Sequence, residues 1–309
     1  MAAPVGAAIA QTPRSLTLRI DNDAFDFWML PWNRPDEEYS SGVHITYDGG
    51  DAPWWSRPFL RQIAPCTTST RECRTGRAEI GQDLYTAATS VSQPIPAPGS
   101  RSNAGWLYLS ETARSLRASR SDELTFTLGV TGGPSLAKYT QTLAHSVAPT
   151  FNRPSDWSSQ VGFEPGVMVR YEQRRRLGFD DHAIGFDLIP RFAVTAGNVS
   201  TAAEIGFQTR TGWHLRHPWL PRDGPLEIAF LGGVSARAVA RDLFLDGNTF
   251  QSGSHVGHET FVGSGEAGIE LRFRAVSLAY RAVNDTRSYA AGPKWHPWAS
   301  LVGGVTFIR

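Results

Sequence analysis

The sequence predicts an all-β chain closed into an antiparallel transmembrane β-barrel of about twelve strands, with one short helix in an extracellular loop. Three observations predict it. Alternation with period two recurs along nearly the whole chain, and several segments exceed the roughly 9–11 residues a tilted strand needs to cross a bilayer. No apolar run reaches the roughly 18 residues of a membrane helix, so a membrane would have to be crossed by strands. Charged residues make up 19% of the chain, below the roughly 25% usual in soluble domains, and Trp and Tyr fall near segment ends, as in interfacial girdles.

The alternating segments fall at 16–21, 39–48, 77–85, 104–116, 121–132, 161–174, 182–195, 198–214, 225–240, 264–274, 276–285 and 297–308. In the first, "LTLRIDNDAF", Leu16, Leu18 and Ile20 oppose Thr17, Arg19, Asp21 and Asp23. In the second, Val43, Ile45 and Tyr47 oppose Ser40, Gly42, His44 and Thr46. Later segments repeat the scheme: Leu124, Phe126, Leu128 and Val130 against Thr125, Thr127 and Gly129, and Ile269, Leu271 and Phe273 against Glu270, Arg272 and Arg274. A soluble sandwich would also alternate. Here the polar faces carry mixed charges and many glycines, an even strand number is expected, and Trp106, Tyr108, Trp213, Trp295 and Trp298 are placed to form girdles. One stretch departs from period two: "SLAKYTQTLAHSVA", 135–148, spaces Leu136, Tyr139, Leu143 and Val147 helically after Gly132-Gly133-Pro134. Its apolar spacing predicts a loop helix packed down on the barrel mouth.

The ends and punctuation fit an exported chain. "MAAPVGAAIAQ" ends in a small-x-small pattern, so residues 1–10 read as a possible remnant of a signal peptide and 11–309 as a single barrel domain. Cys66 and Cys73, the only cysteines, suit a disulfide in an oxidising compartment better than a metal pair. The net charge of +1 points to no nucleic-acid partner. "RRRLGFDDH", 174–182, reads as a solvated periplasmic turn, "AGN" at 196–198 as a tight turn, and His255 with His258 as half a metal site without an evident third ligand.

With both termini periplasmic, counting strands brings Asp21–Asp23, Ser40 and the helix with His145 to the outer rim, and the Cys66–Cys73 loop to the periplasmic side. Parity predicts Asp23 and Ser40 on the inward face, with Asn22 on the other face unless a bulge intervenes. An imidazole is the natural general base near neutral pH, so His145 is the candidate base. Asp23 could orient it or ligate a hard cation. No GxSxG elbow surrounds Ser40, which argues against a nucleophilic serine.

The ordered set "DNDAF", "EYSSGVHITY", "GQDLYT", "AGWLYL", "LGVTGGPSLAKYTQTLAH", "FEPGVMVRYE" and "IPRFAVTAGNVSTAAEIG" resembles the outer-membrane lipid A 3′-O-deacylase family (LpxR-type) over nearly the whole chain. That resemblance implies a twelve-stranded barrel in the bacterial outer membrane that removes the 3′-linked acyloxyacyl chain of lipid A. It also implies a divalent cation, typically Ca2+. The family's site residues fall on Asn22-Asp23, Ser40 and His145, with Asp23 as metal ligand and Tyr39 and Arg101 as substrate contacts; Arg101 stands in for a lysine. Lipid A or lipopolysaccharide is the expected partner, and the chain is expected to act as a monomer. Three departures stand out: Phe151 where the family can carry an acid after the His, the missing lysine, and Arg309 instead of a terminal aromatic, with Phe307 near. Two other readings follow from the same fold: a silent lipid-binding barrel, and a small porin whose lumen, lined by Glu204, Glu270, Arg237, Arg272 and Arg274, would be plugged by ion pairs.

Overall fold

The structure is a computed structural model and describes residues 13–25, 36–60, 63–66, 72–89, 98–147, 157–181, 183–220 and 224–308. The expected leader remnant 1–10, Phe151 and Arg309 lie outside the described residues, as does the side chain of His145.

The strands are β1 (Pro13–Asn22), β2 (Asp36–Asp48), β3 (Glu72–Thr89), β4 (Ala104–Arg117), β5 (Arg120–Thr131), β6 (Pro165–Arg175), β7 (Leu177–Asp181), β8 (Ile184–Gly197), β9 (Ser200–Trp213), β10 (Glu227–Asp242), β11 (Phe261–Phe273), β12 (Val276–Thr286) and β13 (Trp295–Ile308). Every ladder is antiparallel between neighbours, and the sheet closes through β1–β13 and β6–β8. β6 and β7 share one register against β8, with Arg174 opposite Arg191 and Leu177 opposite Leu188. The thirteenth segment is therefore β6 continued past a one-residue break, and the barrel has twelve strands. This corrects the reading of 174–182 as a solvated turn. The strand runs to Asp181, and Arg176 donates to the buried Asp187 at 2.5 Å. Closure leaves no unpaired edge, which an apolar bilayer requires.

Alternation sorts the side chains by solvent. Leu16, Leu18, Ile45, Ile80, Leu109, Phe126, Leu128, Ile205, Phe207, Phe230, Leu278 and Val305 are exposed on the outer wall, an apolar belt suited to lipid. The lumen is polar and paired. Arg77 and Arg114 share Asp48 and Glu123, Arg210 bridges Asp187 and Glu227, and Arg272 meets Glu270 at 2.7 Å. Such pairing is what keeps buried charge tolerable. Three expected girdle residues are instead lumenal. Trp106 is buried beside Tyr108 and Phe244, Tyr108 donates to Glu79 at 2.8 Å, and Trp298 donates to Asp285 at 2.9 Å. Trp213 and Trp295 do face outward. Period two cannot tell an aromatic bound for lipid from one bound for the lumen without knowing which face is which.

Short helices α1 (Arg57–Leu60), α2 (Ala137–Val147) and α3 (Leu243–Asp246) lie in the connections, and both mouths are obstructed. At one rim α3 sends Phe244 inward to stack on Tyr85 at 4.6 Å, within a cluster of Trp106, Val161 and Val199. At the rim that carries both termini, residues 214–220 cross beneath the barrel. There Trp219 donates to the Arg117 carbonyl at 2.6 Å, and Leu220 packs on the Cys66–Cys73 disulfide and Leu116. Between them lies a septum around the buried His44. Its Nε2 lies 3.3 Å from Asp21 and its Nδ1 2.9 Å from the Tyr108 hydroxyl. Gly81 makes the room, since a Cβ there would lie 2.5 Å from the Tyr108 hydroxyl and 2.7 Å from His44.

Candidate active site

β1 ends by dividing its last residues between the two faces. Asp21 points into the lumen, where it accepts from Ser300 at 2.5 Å and from Tyr39 at 2.7 Å. Asn22, on the parity of Leu16 and Leu18, belongs to the outer wall opposite Ser41 of β2. Its Oδ1 accepts from the Ala24 amide at 2.7 Å, a local turn that stops the strand. Asp23 then opens a 3-10 turn, Asp23–Phe25. Parity had put Asp23 on the inward face of the strand; the strand ends one residue before it.

β2 makes the complementary adjustment. Its register against β3 shifts between Tyr39 and Ser41, and Glu38 above it has φ of 60°. A bulge adds a residue to one strand and re-aims its side chains. Tyr39 thereby joins Gly42 and His44 on the lumenal side, and Ser40 turns to the outer wall. There its hydroxyl is hydrogen-bonded to that of Thr86, and both residues are buried. The expectation of Ser40 facing inward beside His44 fails for this reason. A one-residue insertion reverses parity.

The loop after β5 returns to the same outer face of β3, at Gln82 and Leu84, two residues from Thr86. Gly132, at φ 71°, turns the chain back so closely that a Cβ would lie 2.6 Å from the Phe163 amide nitrogen. A 3-10 turn (Gly133–Ser135) follows and then α2 (Ala137–Val147). Ser135 accepts from Gln82 of β3 at 2.6 Å through its carbonyl, and Gly105 of β4 leaves space for the first turn of α2. Ala137 and Leu84 are buried together with Trp157, whose indole donates to Gln141 at 2.7 Å. The helix thus lies against the outside of β3 and β4, next to the Ser40–Thr86 pair.

Its buried residues are Ala137 and Gln141, and His145 follows four residues on in the chain. The expected apolar stripe is the opposite one: Leu136, Tyr139 and Leu143 are 50%, 69% and 64% exposed. An apolar helix face turned away from the wall is what a helix at the lipid boundary would present.

Arg101 is placed elsewhere. It is buried at the lumenal side, 3.2 Å from Glu38 and 4.6 Å from the Tyr85 ring centroid. Tyr39 likewise braces Asp21 from the lumen. His258 pairs with Asp246 at 2.7 Å in the loop after α3, while His255 is exposed. The sequence reading did not single out Thr86, Gln141, Trp157 or Gln82. Alternation already put Gln82, Leu84 and Thr86 on one face; nothing in the sequence said that a helix covers it.

The donor chemistry of Asn22, Asp23, Ser40 and Ser41 is all oxygen with one carboxylate, which suits a hard cation of the calcium class. No cluster of three or more His, Cys, Asp or Glu that could hold a metal occurs among the described residues.

A model of the family described as outer membrane protein LpxR matches residues 1–307. Among solved structures, LpxR from Salmonella typhimurium superposes with a TM-score of 0.76 at 16% identity, over 95% of this chain and all of that one. The beta domain of the Bordetella autotransporter Brka gives 0.45 at 11% identity, covering 96% and 98%, a likeness too loose to carry argument. No curated protein matches. With a twelve-stranded wall of the same architecture and a family match across all but the last two residues, this chain belongs to the LpxR family of outer-membrane proteins.

Proposed function

We propose that the protein is a lipid A deacylase, a carboxylic ester hydrolase that removes the 3′-linked acyloxyacyl chain of lipid A. The observation that carries the reading is the position of α2. A helix pinned to the outside of the wall, beside a strand-end turn and a buried hydroxyl pair, makes a site open to lipid and closed to the lumen. A lipid ester just below the headgroups lies at the height of that rim.

In this reading His145 takes a proton from water, and the water oxygen attacks the ester carbonyl carbon. The carbon–oxygen bond to the sugar then breaks, the proton passes to the leaving alkoxide, and the products are a fatty acid and a free 3′-hydroxyl. A positioned base contributes about 10²–10⁴-fold. Asn22 and Ser40 orient the water or the ester, and Asp23 would hold the cation. A bound divalent cation supplies charge stabilisation to the developing oxyanion. Tyr39 and Arg101 act from behind the wall, holding Asp21 and Glu38.

Mass spectrometry of lipid A from an outer-membrane-competent host tests this. The wild type should remove one acyloxyacyl unit in the presence of calcium, and His145→Ala should leave lipid A intact. Unchanged lipid A with correctly assembled wild-type protein would refute the hydrolase and leave a lipid-binding barrel.

A further inference from the structure

Two of the cavities in the lumen lie on either side of the His44 septum, and a third, about 210 Å³, lies beside Arg170, Glu204 and Arg237. The upper one, about 250 Å³, lies under α3 and mixes Glu38, Asp83, Asp242 and Asp285 with Arg101 and Arg237. The lower one, about 520 Å³, reaches down to residues 216–220 and to the turn at Arg274–Ala275, at the rim of the termini. Its charge is lopsided: Arg14, Arg19, Arg77, Arg114, Arg216, Arg272, Arg274 and Arg281 against Asp48, Glu79 and Glu270.

Most of that charge is committed. Arg77 and Arg114 are held by Asp48 and Glu123, Arg272 by Glu270, Arg19 by Asp21, and Arg216 by the carbonyls of Gly224 and Pro225. Arg281 differs. It projects into the lumen from β12 with no carboxylate within 4.0 Å among the described residues, and its Nε is buried without a hydrogen-bond partner. In the ladder it stands opposite Ser300, level with Asp21 and two residues above Arg19, and Val302 of β13 lines the cavity between β12 and β1. Arg281 and Arg19 flank a recess lined by Val302 and Ser277, with Glu270 and then Arg272 below on β11.

We infer that this recess binds a compact multivalent anion of the phosphate class, entering from the rim of the termini. Guanidinium forks match phosphate oxygens bidentately. A cationic cleft with low-dielectric walls also focuses its field on such a ligand. A buried donor without an acceptor is costly, and an anion would remove that cost. The site is separate from the wall under α2, and it stands or falls independently of the deacylase reading.

Titration calorimetry of the whole protein in detergent micelles, with inorganic pyrophosphate as probe, tests it. One site per chain is expected, weakening as NaCl rises. Arg281→Gln should lower affinity at least tenfold, and Arg237→Gln in the upper cavity should leave it unchanged. Citrate, a trivalent carboxylate, should bind more weakly than pyrophosphate. If Arg281→Gln fails to assemble, Arg281→Lys keeps the charge without the fork and should still lose several-fold. No saturable heat with the wild type, or equal affinity in the Arg281 variants, would overturn the proposal.

Discussion

Gly105→Ala is the most direct test of the idea that a helix seated on the outer wall makes the site. Gly105 faces outward on β4, opposite Leu84 of β3. A Cβ there would fall against Ser135 Oγ and the Ala137 Cβ, with Ser135 Cβ at 3.1 Å. Carbon–carbon contacts prefer about 3.5–4.0 Å, so the first turn of α2 must retreat by about 1 Å or more. The wall yields less readily, because Gly105 is laddered to Leu84 of β3 and its neighbour Trp106 to Thr131 of β5. Overpacking of this kind costs about 1–3 kcal/mol, a strain that lifting the helix relieves. A displacement of about 1 Å at a positioned group can cost on the order of 10²-fold in rate. Gly105→Ala should therefore assemble normally, judged by heat-modifiable gel mobility, and deacylate lipid A about 100-fold more slowly. Gly265→Ala, where no atom lies within 4 Å of the added methyl, is the control and should be neutral. Wild-type rates from Gly105→Ala would refute the claim that the seat of α2 sets the geometry.

Trp157→Phe removes the indole donor to Gln141 while keeping an aromatic against Leu84. Amide exchange across 137–147 should quicken by about fivefold, corresponding to about 1 kcal/mol, with the strands unaffected; unchanged exchange would count against the clamp. Replacing Cys66 and Cys73 by Ser opens a loop of sequence separation 7, worth roughly 2.5 kcal/mol by chain entropy. The effect should be confined to proteolysis near 214–220, which packs on the pair, and a fall in whole-barrel stability would contradict that. Glu164 ties three loops together by accepting from Asn198, Asn248 and the Thr249 amide. Burial pushes its pKa up, but the bonds from Thr249, Asn198 and Asn248 outweigh that and hold it below the usual glutamate range. Its contribution is thus full above the ordinary value near ~4.3 and lost as pH falls through the lower folded value. The Thr249 amide resonance should report that acid transition in the wild type, and Glu164→Gln should abolish it.

The barrel was legible because its physics is periodic. Every strand repeats one decision, lipid or lumen, and twelve repetitions survive errors in any one of them. What was not legible depended on single residues that break the period. Tyr39 and Ser40 needed a bulge that only register reveals. Trp106 and Trp298 read as girdle residues because an aromatic near a strand end suits either face. The helix was legible in its extent, yet its apolar spacing pointed to the wrong stripe. In a helix at a lipid boundary, the exposed side is as apolar as a buried one, so the stripe that packs is marked by small Ala137 and polar Gln141 instead.

The same distinction explains the acid-amide-acid run at the end of the first strand. Asp21 is the last residue that serves the lumen, where it anchors the septum through Tyr39, His44 and Ser300. Asn22 is the first to serve the outer wall, and it ends the ladder by capping the turn that follows. Asp23 lies past the ladder and opens the 3-10 turn Asp23–Phe25. Adjacent polar residues thus meet different environments: a closed polar core for Asp21, the outer wall for Asn22 and a turn beyond the strand for Asp23. Because successive side chains of a strand point to opposite faces, a one-residue slip would exchange the first two roles. The septum fixes the register of β1, and that register holds Asn22 on the wall beside the seat of α2.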